Sequence, residues 1–275
     1  MLFRRIAVAL TARFAPSNPL SMIALISPAK TLDFARPMPP LPVSEPRFAD
    51  DAERLAAAAA KLSAKKLAAL MHISPRLAEL NAERFRGFAQ QPERPALYAF
   101  AGDVYVGFEV RSLDEEAVIF AQDHLRILSG LYGLLRPLDA IRPYRLEMGT
   151  RWAPRRRDLY AYWGPRLAET LREDAEAQGD RILVNLASKE YWTAIERHID
   201  PSLEVIEIDF REEGPDGPRF NTFAAKRARG TMARWICEQR IADPDALKSF
   251  DCDGYFYDPA NSDGPRWRFS RVPAG

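Results

Sequence analysis

Residues 120–152 read FAQDHLRILSGLYGLLRPLDAIRPYRLEMGTRW, and the way this stretch folds decides how the remainder can be arranged around it. Leu125 and Leu128 share one face of a helix that the periodicity carries to Ser129, where Gly130 stops it. A tight turn through Leu131, Tyr132 and Gly133 follows, and Pro137 and Pro143 cut any second helix short. Arg126, Arg136, Arg142, Arg145 and Arg151 all fall here, and the acids after Asp123 are Asp139 and Glu147. Two glycines around a hairpin free backbone N–H groups to face an anion, and nearby guanidiniums can fork onto phosphate oxygens. The competing reading is a helix stop and a loop whose arginines pair with Asp139 and Glu147.

Outward from this segment, charge is uneven. With 39 Lys and Arg against 38 Asp and Glu, the net charge of +1 by itself argues against a polyanionic partner. From Arg126 to Arg166, however, nine arginines face three acids, and from Arg219 to Arg234 five basic residues face none. These windows carry +6 and +5, which leaves −10 for the rest of the chain. A hydrophobic content of 47% in 275 residues excludes a fibrous or disordered chain and predicts a sizeable core. Cys237 and Cys252 belong to no paired-Cys motif and have no neighbouring histidine, which fits buried thiols in a reducing cytoplasm. A redox sensor would need an exposed, electropositive setting. His72, His124 and His198 are isolated, so neither a metal site nor a cofactor is expected.

In chain order, the apolar run Ile6–Leu10 is too short to span a membrane and Arg13 closes it, so no anchor is expected. Met22 is the expected start of translation, with 1–21 a mis-assigned start or loose tail and 22–275 a single domain. Met22–Ile26 predicts a buried strand leading into Ser27-Pro-Ala-Lys-Thr-Leu-Asp33, which lacks the glycines of a phosphate loop but offers Lys30 as a point charge. Helices are predicted over 50–62, over 64–71 behind Ser63, and from Pro75 to about Phe85 behind Ser74. Strands are predicted at 96–101 and 104–110, a helix at 159–177 closed by Gly179, and a strand at 181–186 with Ser188 capping a helix from Lys189. Alternation predicts a strand at 203–210 that turns back as a hairpin through 214–218. In the helix predicted at 222–241, Arg227, Gly230 and Arg234 share a face, and the glycine costs about 1 kcal/mol relative to alanine unless a backbone or phosphate approaches it. Short aromatic strands at 254–258 and 267–272 finish the chain. Without strict βαβ alternation the class is α+β, a mixed sheet with surrounding helices.

The strings ISPAKTLDF, FAGDVYVGF, HLRILSGLYGLLRPLDAIRPYRLEMG, DLYAYWG, LVNLASKEYW, FAAKRARGTMARWI and GYFYD occur in this order. Together they resemble the YaaA family of peroxide-stress proteins, from Met22 almost to the C terminus. The resemblance implies a cytoplasmic bacterial protein induced by hydrogen peroxide and associated with limiting iron-driven oxidative damage. It also implies a family-specific fold with a positively charged cleft and a helix-hairpin-helix-like element, and binding to duplex and branched DNA. On this sequence that hairpin falls on Ser129–Gly133, with Pro137 and Pro143 as departures from a regular second helix.

The leading expectation is therefore a DNA-binding protein of protection or repair that grips backbone and takes duplex, junction or bubble DNA. One phosphate run would lie on Ser129, Gly130 and Gly133 with Arg126, Arg136, Arg142 and Arg145. Another would lie on Lys226, Arg227, Arg229 and Arg234, with Lys30 and Lys189 in the same cleft. The rival is an enzyme acting on a nucleotide or other phosphorylated small molecule, with Lys30, Asp33, Glu147, Lys189 and Glu190 as its acid/base set, unless these merely form salt bridges. Both expectations require distant charges to converge, and the first requires the carboxylates to lie elsewhere.

Overall fold

The computed structural model describes residues 22–272 apart from Asp180 and Asp216, so the expected tail at 1–21 lies outside the described residues. The strands of its main sheet are β1 (Met22–Ile26), β2 (Leu125–Ser129), β3 (Gly133–Leu135), β4 (Ile182–Asn185), β5 (Glu204–Glu212), β6 (Phe256–Tyr257) and β7 (Arg266–Arg271). They lie in the order β6-β7-β5-β4-β1-β2-β3. The run MIALI of β1 is apolar on both faces and wholly buried, as a central strand covered from both sides must be. It pairs in parallel with β2 and β4, β4 pairs in parallel with β5, and β5 with β7. Both edges are antiparallel, β3 against β2 and β6 against β7. The mixed sheet of the α+β expectation is thus present, with five parallel strands at its centre. No helix of the described residues is long and apolar enough to cross a membrane.

Residues 125–129 are a correction. The helix Glu115–His124 ends at His124, and Leu125–Ser129 is a fully buried strand rather than the last turn of that helix. Arg126 disguised it. This arginine, 3% exposed, looks like the polar side of an amphipathic helix but is buried inside the fold, its Nε 2.6 Å from Asp174. Ser129–Gly133 is accordingly the turn of a β-hairpin, not the link of a helix-hairpin-helix. Its glycines serve packing. A Cβ on Gly130 would come within 2.2 Å of the Leu146 carbonyl oxygen, and Gly133 takes a left-handed φ of 69°.

Residues 96–110 are a second correction, because aromatic and β-branched content favoured strands that tertiary contacts override. Ala96–Ala99 is one helical turn, Phe100–Ala101 pairs with Thr31–Leu32, and Asp103–Phe108 is helical. That last helix crosses Thr222–Glu238 with backbones nearly touching. A Cβ on Gly107 would meet the Arg227 carbonyl oxygen at 2.2 Å, and one on Gly230 the Val104 carbonyl oxygen at 1.8 Å. Gly230 thus admits a neighbouring backbone, not a phosphate. The helix expected at 159–177 breaks at Gly164 into Leu159–Trp163 and Arg166–Gln178. The turn expected at 214–218 closes with a single Glu212–Arg219 bridge and leads into the helix Thr222–Glu238, so β5 takes β7, not a hairpin return, as its partner. The caps at Ser63 and Ser74 form as expected, accepting from the N–H groups of Lys66 and Leu77.

Candidate functional site

Parallel pairing of β1 with β4 brings their carboxyl ends side by side, the place where open sheets with parallel strands accept ligands. The two ends are tied together. Ser27 Oγ accepts the Ser188 N–H at 2.8 Å, and Tyr105 donates its hydroxyl to the Ser27 carbonyl at 3.2 Å. Beyond them, Gly149 donates its N–H to Glu190 Oε1 at 2.9 Å, which fastens the 145–151 loop to the helix Lys189–Glu196.

These ties shape two adjoining recesses of about 340 and 770 Å³ that share Lys30 and Glu190. Ser27, Asp103, Ser188, Tyr191, Lys226 and Arg229 line the first; His72, Arg145, Glu147 and Arg151 line the second. Together they form one groove with five Lys and Arg side chains and three carboxylates. Glu147 Oε1 lies 3.4 Å from Lys30 Nζ and 3.0 Å from Arg145, while its Oε2 is buried without a hydrogen-bond partner among the described residues.

Arg229 has the reverse deficiency. Its Nε is buried with no hydrogen-bond partner among the described residues, and burial holds its guanidinium below the ordinary arginine pKa against the opposing pull of Asp209. Asp209 is itself engaged by Arg211 at 2.9 Å and Arg268 at 3.4 Å. Arg229 also lines the first recess, so a cation whose buried donor lacks an acceptor borders the groove.

The two basic tracts do not gather as units. Of the first, Arg145 and Arg151 reach the groove. Arg126 is sealed against Asp174, Arg136 pairs with Asp139 at 3.2 Å, and Arg142 bonds Glu93 at 2.7 Å in a different recess that also holds Glu45 and Glu53. Ser129 and Gly130 are buried, with Ser129 Oγ bonded to the Tyr132 N–H and the Tyr144 hydroxyl, so neither they nor Gly133 faces an anion. Of the second tract, Lys226 and Arg229 line the groove. Arg227 lies 3.7 Å from Asp253, and Arg234 binds the Phe108 and Glu109 carbonyls and Glu238, pinning helix to helix. Lys189 turns to Glu196 at 2.7 Å.

The acid/base set separates similarly: Lys30, Glu147 and Glu190 converge, whereas Lys189 leaves and Asp33 faces a neighbouring recess beside Arg36 and Arg111. Asp33 is a turn-former. The N–H groups of Arg36 and Ala35 and the Arg111 guanidinium hold its carboxyl below the ordinary range. Nor are carboxylates confined to the far side, since Asp103, Glu147 and Glu190 stand within the groove. Ser27, Asp103 and Tyr191 also line the groove, and in the sequence they are marked by membership of the SPAK, AGD and SKEY strings rather than by any basic tract.

The family described as "Peroxide stress protein YaaA" matches residues 22–261. A UPF0246 protein of Rhizorhabdus wittichii is 60% identical over 252 residues, which span 91% of this chain and 100% of that one. Another, of Jannaschia sp., is 52% identical over 242 residues, 86% of this chain and 92% of its own, and one of Caulobacter vibrioides is 47% identical over 253 residues, 91% and 99%. With the match covering nearly all the described fold and every segment that lines the groove, this chain belongs to the peroxide stress protein YaaA family.

Proposed function

We propose that this protein binds DNA by its phosphates in the groove at the carboxyl ends of β1 and β4, as part of the response to hydrogen peroxide, and so limits oxidative damage to that DNA. Backbone contacts carry most of the affinity and base readout little. What supports this reading is Arg229, a half-buried guanidinium whose buried Nε has no hydrogen-bond partner among the described residues, flanked in the groove by Lys226 and Lys30. Arg145 and Arg151 extend the positive lining into the second recess.

The test is binding to duplex, single-stranded and junction DNA at two salt concentrations. Wild-type affinity should fall with salt at a log–log slope of about −0.9 per duplex phosphate contacted, and the Lys226→Ala, Arg229→Ala double variant should bind more weakly with a slope shallower by about two contacts. Affinity indifferent to salt, or a folded double variant that binds like wild type, removes the reading.

Glu147 favours a second reading, an enzyme acting on a nucleotide or other phosphorylated small molecule. A carboxylate with one oxygen between Lys30 and Arg145 and the other buried and unpartnered is a candidate acid/base beside a phosphate site. Under this reading a free nucleotide saturates the groove and displaces DNA at concentrations far below those at which simple salt does. Under the DNA reading it competes no better than its charge allows.

A further inference from the structure

Phe223 and Phe220 are 72% and 48% exposed, a poor use of large apolar rings unless something covers them. Their positions are held. Asn221 caps the helix Thr222–Glu238 by accepting the N–H groups of Phe223 and Ala224, which fixes Phe223 in the first turn. One turn on, Lys226 sits with its Nζ 5.9 Å from the Phe223 ring centre, while Arg211 stands 5.3 Å from the ring centre of Phe220. Lys226 and then Arg229 line the groove. The helix therefore presents an aromatic ring and then two cations in succession, and no acid occurs between Arg219 and Arg234.

We propose that Phe223, with Phe220 three residues before it, is a stacking platform for unpaired bases, so that the groove takes single-stranded nucleic acid, or the open strand of a junction, in preference to closed duplex. The inference rests on the DNA reading above and goes beyond it. Phosphate-binding cations alone scarcely distinguish one strand from two. In a duplex the bases already stack on each other and offer no face to a protein ring, whereas an unpaired base gains by stacking on phenylalanine while its phosphates meet the adjacent cations.

The experiment measures dissociation constants for oligothymidylate and for a blunt duplex of equal length at one salt concentration, on wild type, Phe223→Ala, Phe220→Ala and Phe223→Trp. Phe223→Ala should weaken single-strand binding about tenfold and duplex binding by less than roughly twofold. Phe220→Ala should act in the same direction. Phe223→Trp should bind the single strand as wild type does, with its added emission quenched by oligothymidylate. Equal loss on both ligands, or loss on neither, overturns the stacking platform while DNA binding stands. A change of oligomeric state in Phe223→Ala with single-strand affinity intact assigns the rings to a second copy of the chain and also overturns it. A wild type that binds neither ligand overturns the DNA reading itself.

Discussion

The hairpin end of the sheet buries an arginine, the groove at its carboxyl edge buries one nitrogen of another, and they treat these groups in opposite ways. In β2, Arg126 places Nε 2.6 Å from Asp174 and donates from a terminal nitrogen to the carbonyls of Gln122, Asp123 and Leu125 at 3.1, 2.9 and 2.8 Å. Arg47 closes the other side of the same carboxylate at 2.6 Å. Charge and donors are answered from within, so that end of the molecule has little left for a ligand. Arg229 is half-buried, its Nε is shut away from water, and that atom has no such answer among the described residues. Where a fold leaves a guanidinium unpaired, the partner comes from outside or the charge is a standing cost to stability.

That contrast can be broken by mutation. Arg126→Ala should destabilise the protein most, by about 3–5 kcal/mol in urea unfolding, because it strips a buried carboxylate of one of its two cations. A loss below about 1 kcal/mol would mean Arg47 alone suffices, and the supposed structural role of Arg126 would fail. Gly230→Ala should cost about 1–3 kcal/mol although alanine is the better helix former, since its Cβ would press on the Val104 backbone and push the helix bearing Lys226 and Arg229 away. A rise in the unfolding midpoint would show that the helix crossing is loose. Arg229→Met, which keeps volume and removes charge, should leave stability unchanged or raise it by up to about 1 kcal/mol. A clear loss of stability would reveal that Arg229 is paired after all, and the proposed DNA reading would lose the observation that supports it.

Several elements could be read directly from residue order. The apolar run 22–26, the serine caps at 63 and 74, and the strands near 182–185 and 204–212 all carry local signals, periodicity or a capping side chain, that tertiary contacts reinforce. Lys30, Arg145, Glu147, Glu190, Lys226 and Arg229 were likewise identifiable as candidates, because they lie in the strings that carry the family resemblance. Residues 125–129 were not legible, since a strand buried on both faces with one arginine inside it shows no period of two. Neither were residues 103–108, whose helical state depends on two glycines that let a helix more than a hundred positions later approach.

Residue order by itself determined the family, the mixed α+β class and the segregation of basic residues into two tracts. Only the folded chain decided which of those basic residues are paired and which line the groove. A guanidinium carries the same charge wherever it stands, but whether that charge is spent depends on the carboxylates and carbonyls brought within about 3 Å of it, and those come from distant segments. Asp174 reaches Arg126 across 48 positions, and Asp209 is held by its near neighbour Arg211 and by Arg268 across 59, so Arg126 is paired while the Arg229 Nε has no hydrogen-bond partner among the described residues.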